Sequence, residues 1–247
     1  MKVLGIIGGT GLAHLEGIEH VRTHQIDTPY GSTSREIEEA RLHGEDIFYL
    51  HRHGAPQQIA PHDINYRANL WALHSLGVSH IIGFNAVGGI HPKMQTGALV
   101  LPDQLIDYTW GREHTIAGTD GAGLQHIDFT QPYDDGLRKS LQRAANAVNI
   151  ALCGSAVHGV TQGPRLETAA EIRRLERDGC DVVGMTGMPE AAVARELGIA
   201  YACVCMVVNC AAGKGAQPLS MSDIRNALTA HTVVVDTLLG QFLSEPF

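Results

Sequence analysis

No stretch of this sequence is long and apolar enough to span a bilayer. Its opening run, "MKVLGIIGGTG", is too short and too rich in glycine for a secretion signal, so a cytoplasmic protein with no membrane partner is expected. Cys-x-x-Cys pairs are also missing. The five cysteines are odd in number, and Cys203 and Cys205 lie in an apolar run, which points to buried thiols rather than a disulfide framework. Clustered basic charge is lacking too: 18 Lys and Arg face 26 Asp and Glu along the chain, for a formal charge of −8. That excludes a nucleic-acid-binding stripe but leaves room for a local anion site. Linkers, repeats and low-complexity segments are absent, so one domain over residues 1–247 is expected. The length and a hydrophobic content of 44% allow it a sizeable core.

What is present is alternation. "KVLGIIGG", "DIFYLHRHG", "VSHIIGFNAVGG", "SAVHGVTQGP", "VVGM" and "AYACVCMVVN" read as strands. Between and after them, "NYRANLWALHSLG", "LRKSLQRAANAVNI", "ETAAEIRRLERDG", "PEAAVARELG" and a closing segment from about Met221 repeat apolar residues at helical spacing. The pattern predicts a single-domain α/β fold with a mostly parallel or mixed central β-sheet flanked by helices. Thr10, Arg52, His53, Asn85, Met185, Thr186 and Asn209 all fall where a strand gives way to a loop. In open α/β sheets ligands bind at that edge.

Each motif alone has an ordinary explanation. "GIIGGTGL" could hold an anion on its backbone N–H groups. Yet His14 stands where a dinucleotide-binding loop would place its third glycine, and no Gly-Lys-Ser/Thr follows. A tight turn explains it as well. In "HRHGAP", His51 and His53 share a strand face, but with no third ligand a metal is not expected. Arg52 and His53 suit phosphate better, Arg offering a planar fork, although a solvated strand end is an equal reading. Glu167 reads equally as a first-turn carboxylate favoured by the helix dipole, and Pro189 as a residue near a helix start.

Taken together and in order, "IIGGTGL", "RHG", "NYRANLWAL", "NAVGG", "QGPRLET", "GMTGMPEA" and "VVN" resemble the trimeric nucleoside phosphorylase family, in particular its methylthioadenosine phosphorylase branch. The resemblance implies the nucleoside phosphorylase fold and a pentosyltransferase of purine salvage. Such an enzyme cleaves the N-glycosidic bond of purine nucleosides with inorganic phosphate as co-substrate, without metal or organic cofactor. It further implies a phosphate site from Thr10, Arg52, His53, Asn85, Ala86 and Thr186, with Met185 against the ribose. The segments holding Leu166, Glu167, Asn209 and Ala211 would take the base. His126 in "LQHIDFTQPY" would reach a neighbouring subunit's site in a homotrimer. Asn209, Glu167 and His53 are the expected catalytic residues.

Bond cleavage builds positive charge on the sugar and negative charge on the purine, so positioning and electrostatics carry the reaction. The branch that cleaves methylthioadenosine has acids at the positions of Asn209 and Ala211; this sequence has neither. Asn offers a donor to a 6-oxo group and an acceptor to N7–H. The Glu167 carboxylate can accept N1–H of a 6-oxopurine, whereas adenine would face it acceptor to acceptor. Each unpaired buried group costs roughly 1–3 kcal/mol. Near the last helix, "QPLSMSDIRN" has Met221 and no His to bond a 5′-hydroxyl, which suits a methylthio group. The expected reaction is phosphorolysis of S-methyl-5′-thioinosine to hypoxanthine and 5-methylthioribose 1-phosphate. A general inosine/guanosine phosphorylase and a methylthioadenosine phosphorylase are the alternatives. A non-catalytic nucleoside-binding protein would have no need of the phosphate residues. Leu166 stands where the family usually stacks an aromatic ring, so less base stacking is expected.

Overall fold

The computed structural model describes residues 2–9, 12, 17–54, 59–118, 123–124, 126–215 and 221–245, Met221 by its backbone alone. β1 (Leu4–Gly8), β2 (Glu19–His24), β3 (Ile37–Leu42) and β4 (Glu45–His51) lead into α1 (Tyr66–Ser75) and the long β5 (His80–Gly89). β6 (Leu99–Val100), β7 (Gln104–Asp107), α2 (Asp135–Ala147), β8 (Leu152–Cys153) and β9 (Val157–Val160) follow. The chain closes with α3 (Ala169–Arg177), β10 (Val182–Gly184), α4 (Gly187–Glu196), β11 (Ala200–Cys210) and α5 (Met221–Leu243).

The strands form one mixed sheet built on β5 and β11, which run parallel from Ala200↔His80 to Cys210↔Gly89. On the other edge of β5 two strands take turns. β1 pairs in parallel as far as Ile7↔Gly83, and β10 pairs antiparallel at Val183↔Gly88 and Val182↔Gly89. Between Gly83 and Gly88 neither partner reaches that edge, and the sheet opens there.

Side-chain alternation along the central strands fills two cores. Ala202, Val204 and Met206 pack with Leu141 of α2 and Val235, Leu238 and Leu239 of α5. The intervening Tyr201, Cys203, Cys205 and Val207 pack on the other face with Leu70 and Leu73 of α1 and Val193 and Ala194 of α4. Because both faces are covered, the central strands read as continuous apolar runs. Each fully buried aliphatic chain contributes roughly 1.5–3 kcal/mol.

The mixed sheet and the helices on both faces agree with the expected α/β class. The β2–β3 hairpin, absent from the sequence reading, lies at the sheet edge. Its β2, "EHVRTH", is exposed almost throughout and is tied to β3 by Arg22 and His24, both 2.7 Å from a Glu39 oxygen. Charge at an edge strand discourages pairing with other chains, and it also hides the strand from any hydrophobic pattern.

Candidate active site

A cavity of about 700 Å³ opens where β5 changes partners. Arg52, His53, Ala86, Met185, Thr186, Leu166, Glu167, Asn209 and Ala211 all contribute to its wall. Residues from distant parts of the sequence thus meet at the strand-end edge.

Arg52 follows directly on β4 and is fully buried. The expectation that it presents an open fork to phosphate needs correction, because the fork is closed on Glu190 of α4. Nε donates to Oε2 and Nη2 to Oε1, each at 2.8 Å. Nη1 donates to the Phe84 carbonyl at 2.8 Å and Nη2 to Asn85 Oδ1 at 2.9 Å. A guanidinium has five N–H groups, so among the described residues one on Nη1 is left without a partner. It lies beside Gly9, where a Cβ would come within 2.6 Å of Nη1 and 2.8 Å of the Phe84 oxygen. Only glycine permits that approach. Burial alone would lower the Arg52 pKa; the Glu190 carboxylate outweighs it and holds the group above its ordinary value. The charge reaching the cavity from Arg52 is therefore largely cancelled.

Asn85 stands behind the wall. It is buried and does not line the cavity; its Oδ1 supports Arg52, and its Nδ2 has no partner among the described residues. The next residue, Ala86, reaches the wall. His53 Nδ1 lies 2.9 Å from the Ile59 carbonyl, which can only accept, so Nδ1 carries the proton. The neutral ring then presents a lone pair on Nε2, and burial keeps its pKa below the ordinary value. Thr186 is the N-cap residue of α4, but its side chain makes no capping bond, so its hydroxyl is not used by the helix. Thr10 lies outside the described residues.

Asn209 reaches the cavity through an irregularity in β11. The ladder runs Val207↔Val87 and then Asn209↔Gly88, which leaves Val208 as an extra residue. Such a bulge re-aims the side chains beyond it. Nδ2 of Asn209 donates to the Cys210 carbonyl at 2.6 Å, and among the described residues its Oδ1 and second N–H have no partner. Glu167 lies outside α3, not in its first turn as its dipole-favoured reading supposed. Thr168 is the N-cap, and Glu171 completes the capping box by accepting from the Thr168 backbone N–H at 2.7 Å. With the cap supplied by Glu171, Glu167 Oε1 accepts instead from Thr161 Oγ1 at 2.5 Å.

Met185 packs on the turn at Gly163, and Leu166, 49% exposed, sits at the mouth. Ala211 is buried in the wall. His126 is exposed and takes no part in the cavity of its own chain. The side chain of Met221 is outside the description, but Ile224, one turn further along α5, lines the cavity.

Glu190 and Thr161 escaped the sequence reading. Glu190 in "MPEAA" looks like an ordinary first-turn acid, and nothing local marks Thr161. A third group, His158, Cys203 and Cys205, is fully buried and converges closely enough to hold a metal ion. The two sulfurs are 3.5 Å apart, and His158 Nδ1 is 3.9 Å from Cys205. None of the three lines the cavity.

Comparison with known proteins agrees with this architecture. The family model described as the phosphorylase superfamily matches residues 3–243. A protein of Pseudomonas syringae pv. tomato named a probable S-methyl-5′-thioinosine phosphorylase is 50% identical, over 99% of both chains. One of Thermococcus kodakarensis named a probable 6-oxopurine nucleoside phosphorylase is 40% identical, over 97% of this chain and 91% of its own. Among solved structures, the methylthioadenosine phosphorylase of Schistosoma mansoni in complex with adenine superposes with a TM-score of 0.93. It is 29% identical and is matched over 99% of this chain and 91% of its own. The fold is the nucleoside phosphorylase fold, and the chain belongs to the phosphorylase superfamily.

Proposed function

We propose that this nucleoside phosphorylase acts on S-methyl-5′-thioinosine, yielding hypoxanthine and 5-methylthioribose 1-phosphate. The observation that carries the reading is that the Asn209 carboxamide and the Thr161-bound Glu167 carboxylate line the same cavity. The free N–H of Asn209 suits a 6-oxo group, and its Oδ1 suits the N7–H of the departing base. Glu167, held by Thr161 on one oxygen, has the other left to accept N1–H. The S-methyl-5′-thioinosine phosphorylase name of the 50% identical relative supports the same substrate.

In this reading phosphate lies under the sugar, held by the remaining Arg52 N–H, the backbone at Ala86 and the Thr186 hydroxyl, while His53 Nε2 accepts from the phosphate's own O–H; the family resemblance assigns Thr10 to the same anion. Met185 covers the ribose. Phosphate stabilises the cationic sugar and then attacks its anomeric carbon as the bond to the purine breaks, and Asn209 holds the leaving base at N7. No metal or organic cofactor has a step in this chemistry. Ile224, beside the position of Met221, supplies apolar surface for the 5′ group.

A general 6-oxopurine nucleoside phosphorylase is the second reading, favoured by the relative from Thermococcus; it shares the base pocket and differs at the 5′ end. We propose a homotrimer in which His126, exposed and not part of its own chain's cavity wall, approaches the site of the next subunit. A cytoplasmic location fits this role, and no described helix is long and apolar enough to cross a membrane.

Phosphorolysis of methylthioinosine, methylthioadenosine, inosine and adenosine, with and without phosphate, tests the reading. Phosphate-dependent release of hypoxanthine, fastest from methylthioinosine, is expected. Methylthioadenosine as the best substrate would overturn the assignment of the base pocket, and inosine as the best would favour the second reading.

A further inference from the structure

Arg112 lies in "TWGREH", beyond β7, and lines no part of the cavity. It is 8% exposed, and no carboxylate forms an ion pair with it among the described residues. Its guanidinium nevertheless meets six acceptors. Nη2 donates to the carbonyls of Thr161 at 3.2 Å and Gln162 at 2.8 Å, and Nε donates to Gln162 Oε1 at 3.2 Å. Nη1 faces the carbonyls of Met185 at 2.9 Å and Met188 at 2.6 Å and the Tyr66 hydroxyl at 3.2 Å. Five N–H groups serve these six acceptors, so one is shared.

Those acceptors lie on three segments, each of which includes or contacts a residue of the cavity wall. Thr161 binds the Glu167 carboxylate, so its backbone position sets where that carboxylate stands. Met185 and Met188 bracket Thr186, the residue that opens α4. Tyr66 passes the connection on by donating to the Pro61 carbonyl at 2.8 Å, and Pro61 lines the cavity. The three segments are far apart in sequence, and carbonyl oxygens cannot bond one another. A planar cation with donors on several sides can join them; a lysine ammonium, with three donors at one point, cannot span the same set.

We propose that Arg112 is a positioning residue: it joins the Thr161–Gln162, Met185–Met188 and Tyr66–Pro61 segments and so sets the distance between the base-reading and sugar–phosphate halves of the site. The inference rests on the cavity being the substrate site. A misplacement of about 1 Å away from the chemistry can cost roughly 100-fold in rate.

The test compares kcat and KM of wild type, Arg112→Ala and Arg112→Lys with methylthioinosine and phosphate, together with their thermal midpoints. Both variants are expected to lose roughly 100-fold in kcat/KM, with a fall in kcat as well as a rise in KM. Millimolar guanidinium is expected to restore part of the Arg112→Ala activity, and methylammonium is not. Wild-type kcat/KM in a folded variant would overturn the proposal. So would a loss that neither cation or both cations repair, since that marks a merely structural role. If Arg112→Ala does not fold, Arg112→Lys decides: reduced kcat at a wild-type midpoint supports positioning, and wild-type kcat refutes it. A wild-type enzyme inactive on every nucleoside would instead count against the reading of the cavity itself.

Discussion

Glu190→Gln exposes how far the phosphate-side arginine depends on a partner that is remote in sequence. Arg52 and Glu190 are each about 1% exposed in their side chains, and two 2.8 Å bonds join them. Tyr201 adds a third donor to the same carboxylate at 2.7 Å. The substitution preserves shape, but it removes the compensating charge and turns an amide N–H toward Arg52. Breaking a buried pair from one side costs about 3–5 kcal/mol. For a chain of this size that corresponds to a fall in the thermal midpoint of roughly 6–20 °C. Tyr201→Phe, which removes one bond to the carboxylate, should cost only about 1.5–3 kcal/mol. Urea unfolding of the variants measures both, and phosphate KM is read alongside. Phosphate KM should change in Glu190→Gln, because the Arg52 charge is no longer cancelled and the Nη1 N–H loses its aim. An unchanged urea midpoint together with an unchanged phosphate KM would refute the coupling of Glu190 to the site.

Three further outcomes follow from the geometry. Asn209→Asp loses the donor to a 6-oxo group and sets a carboxylate against the Cys210 carbonyl. Its kcat/KM for methylthioinosine should fall about 5- to 150-fold, the worth of one buried mismatch, while methylthioadenosine gains relative to it in the same assay. Thr161→Val removes the bond to Glu167; a loss of about tenfold in kcat/KM with 6-oxopurine nucleosides is expected, and Thr161→Ser should restore most of it. The third outcome concerns pH. Burial holds His53, His80 and His231 below their ordinary pKa near 6.5. The unfolded chain therefore binds more protons in that range, so stability is full above pH 6.5 and is lost as pH falls through the lower folded values. Urea midpoints at pH 7.5 and 5.5 should differ in that direction, and His231→Gln should flatten the slope.

Much of the chain was legible before any coordinates. The β5 and β11 runs, α1 stopping near Gly77 and the α/β alternation all follow from local patterns. So does the gathering of Arg52, His53, Thr186 and Asn209 at strand ends. Periodicity reports which face of an element is covered, and glycine and polar residues report where it stops. Neither reports what covers it.

Everything that depends on a partner was decided by tertiary structure. The charged β2–β3 hairpin and the two-residue strands β6 and β8 carry too little apolar pattern to be seen. The bulge at Val208 is a feature of the β11–β5 pairing, and it re-aims the chain at Asn209. Glu171, not Glu167, caps α3 because the Thr168 backbone is within its reach, and this leaves Glu167 for Thr161. Arg52 finds Glu190 138 residues away, and Arg112 finds Met188 76 residues away. The sequence by itself determined the elements, their order and the residue types delivered to the sheet edge, because those are properties of neighbouring residues. Which donor meets which acceptor depended on the sheet order that brings distant segments together, and no local pattern carries that order.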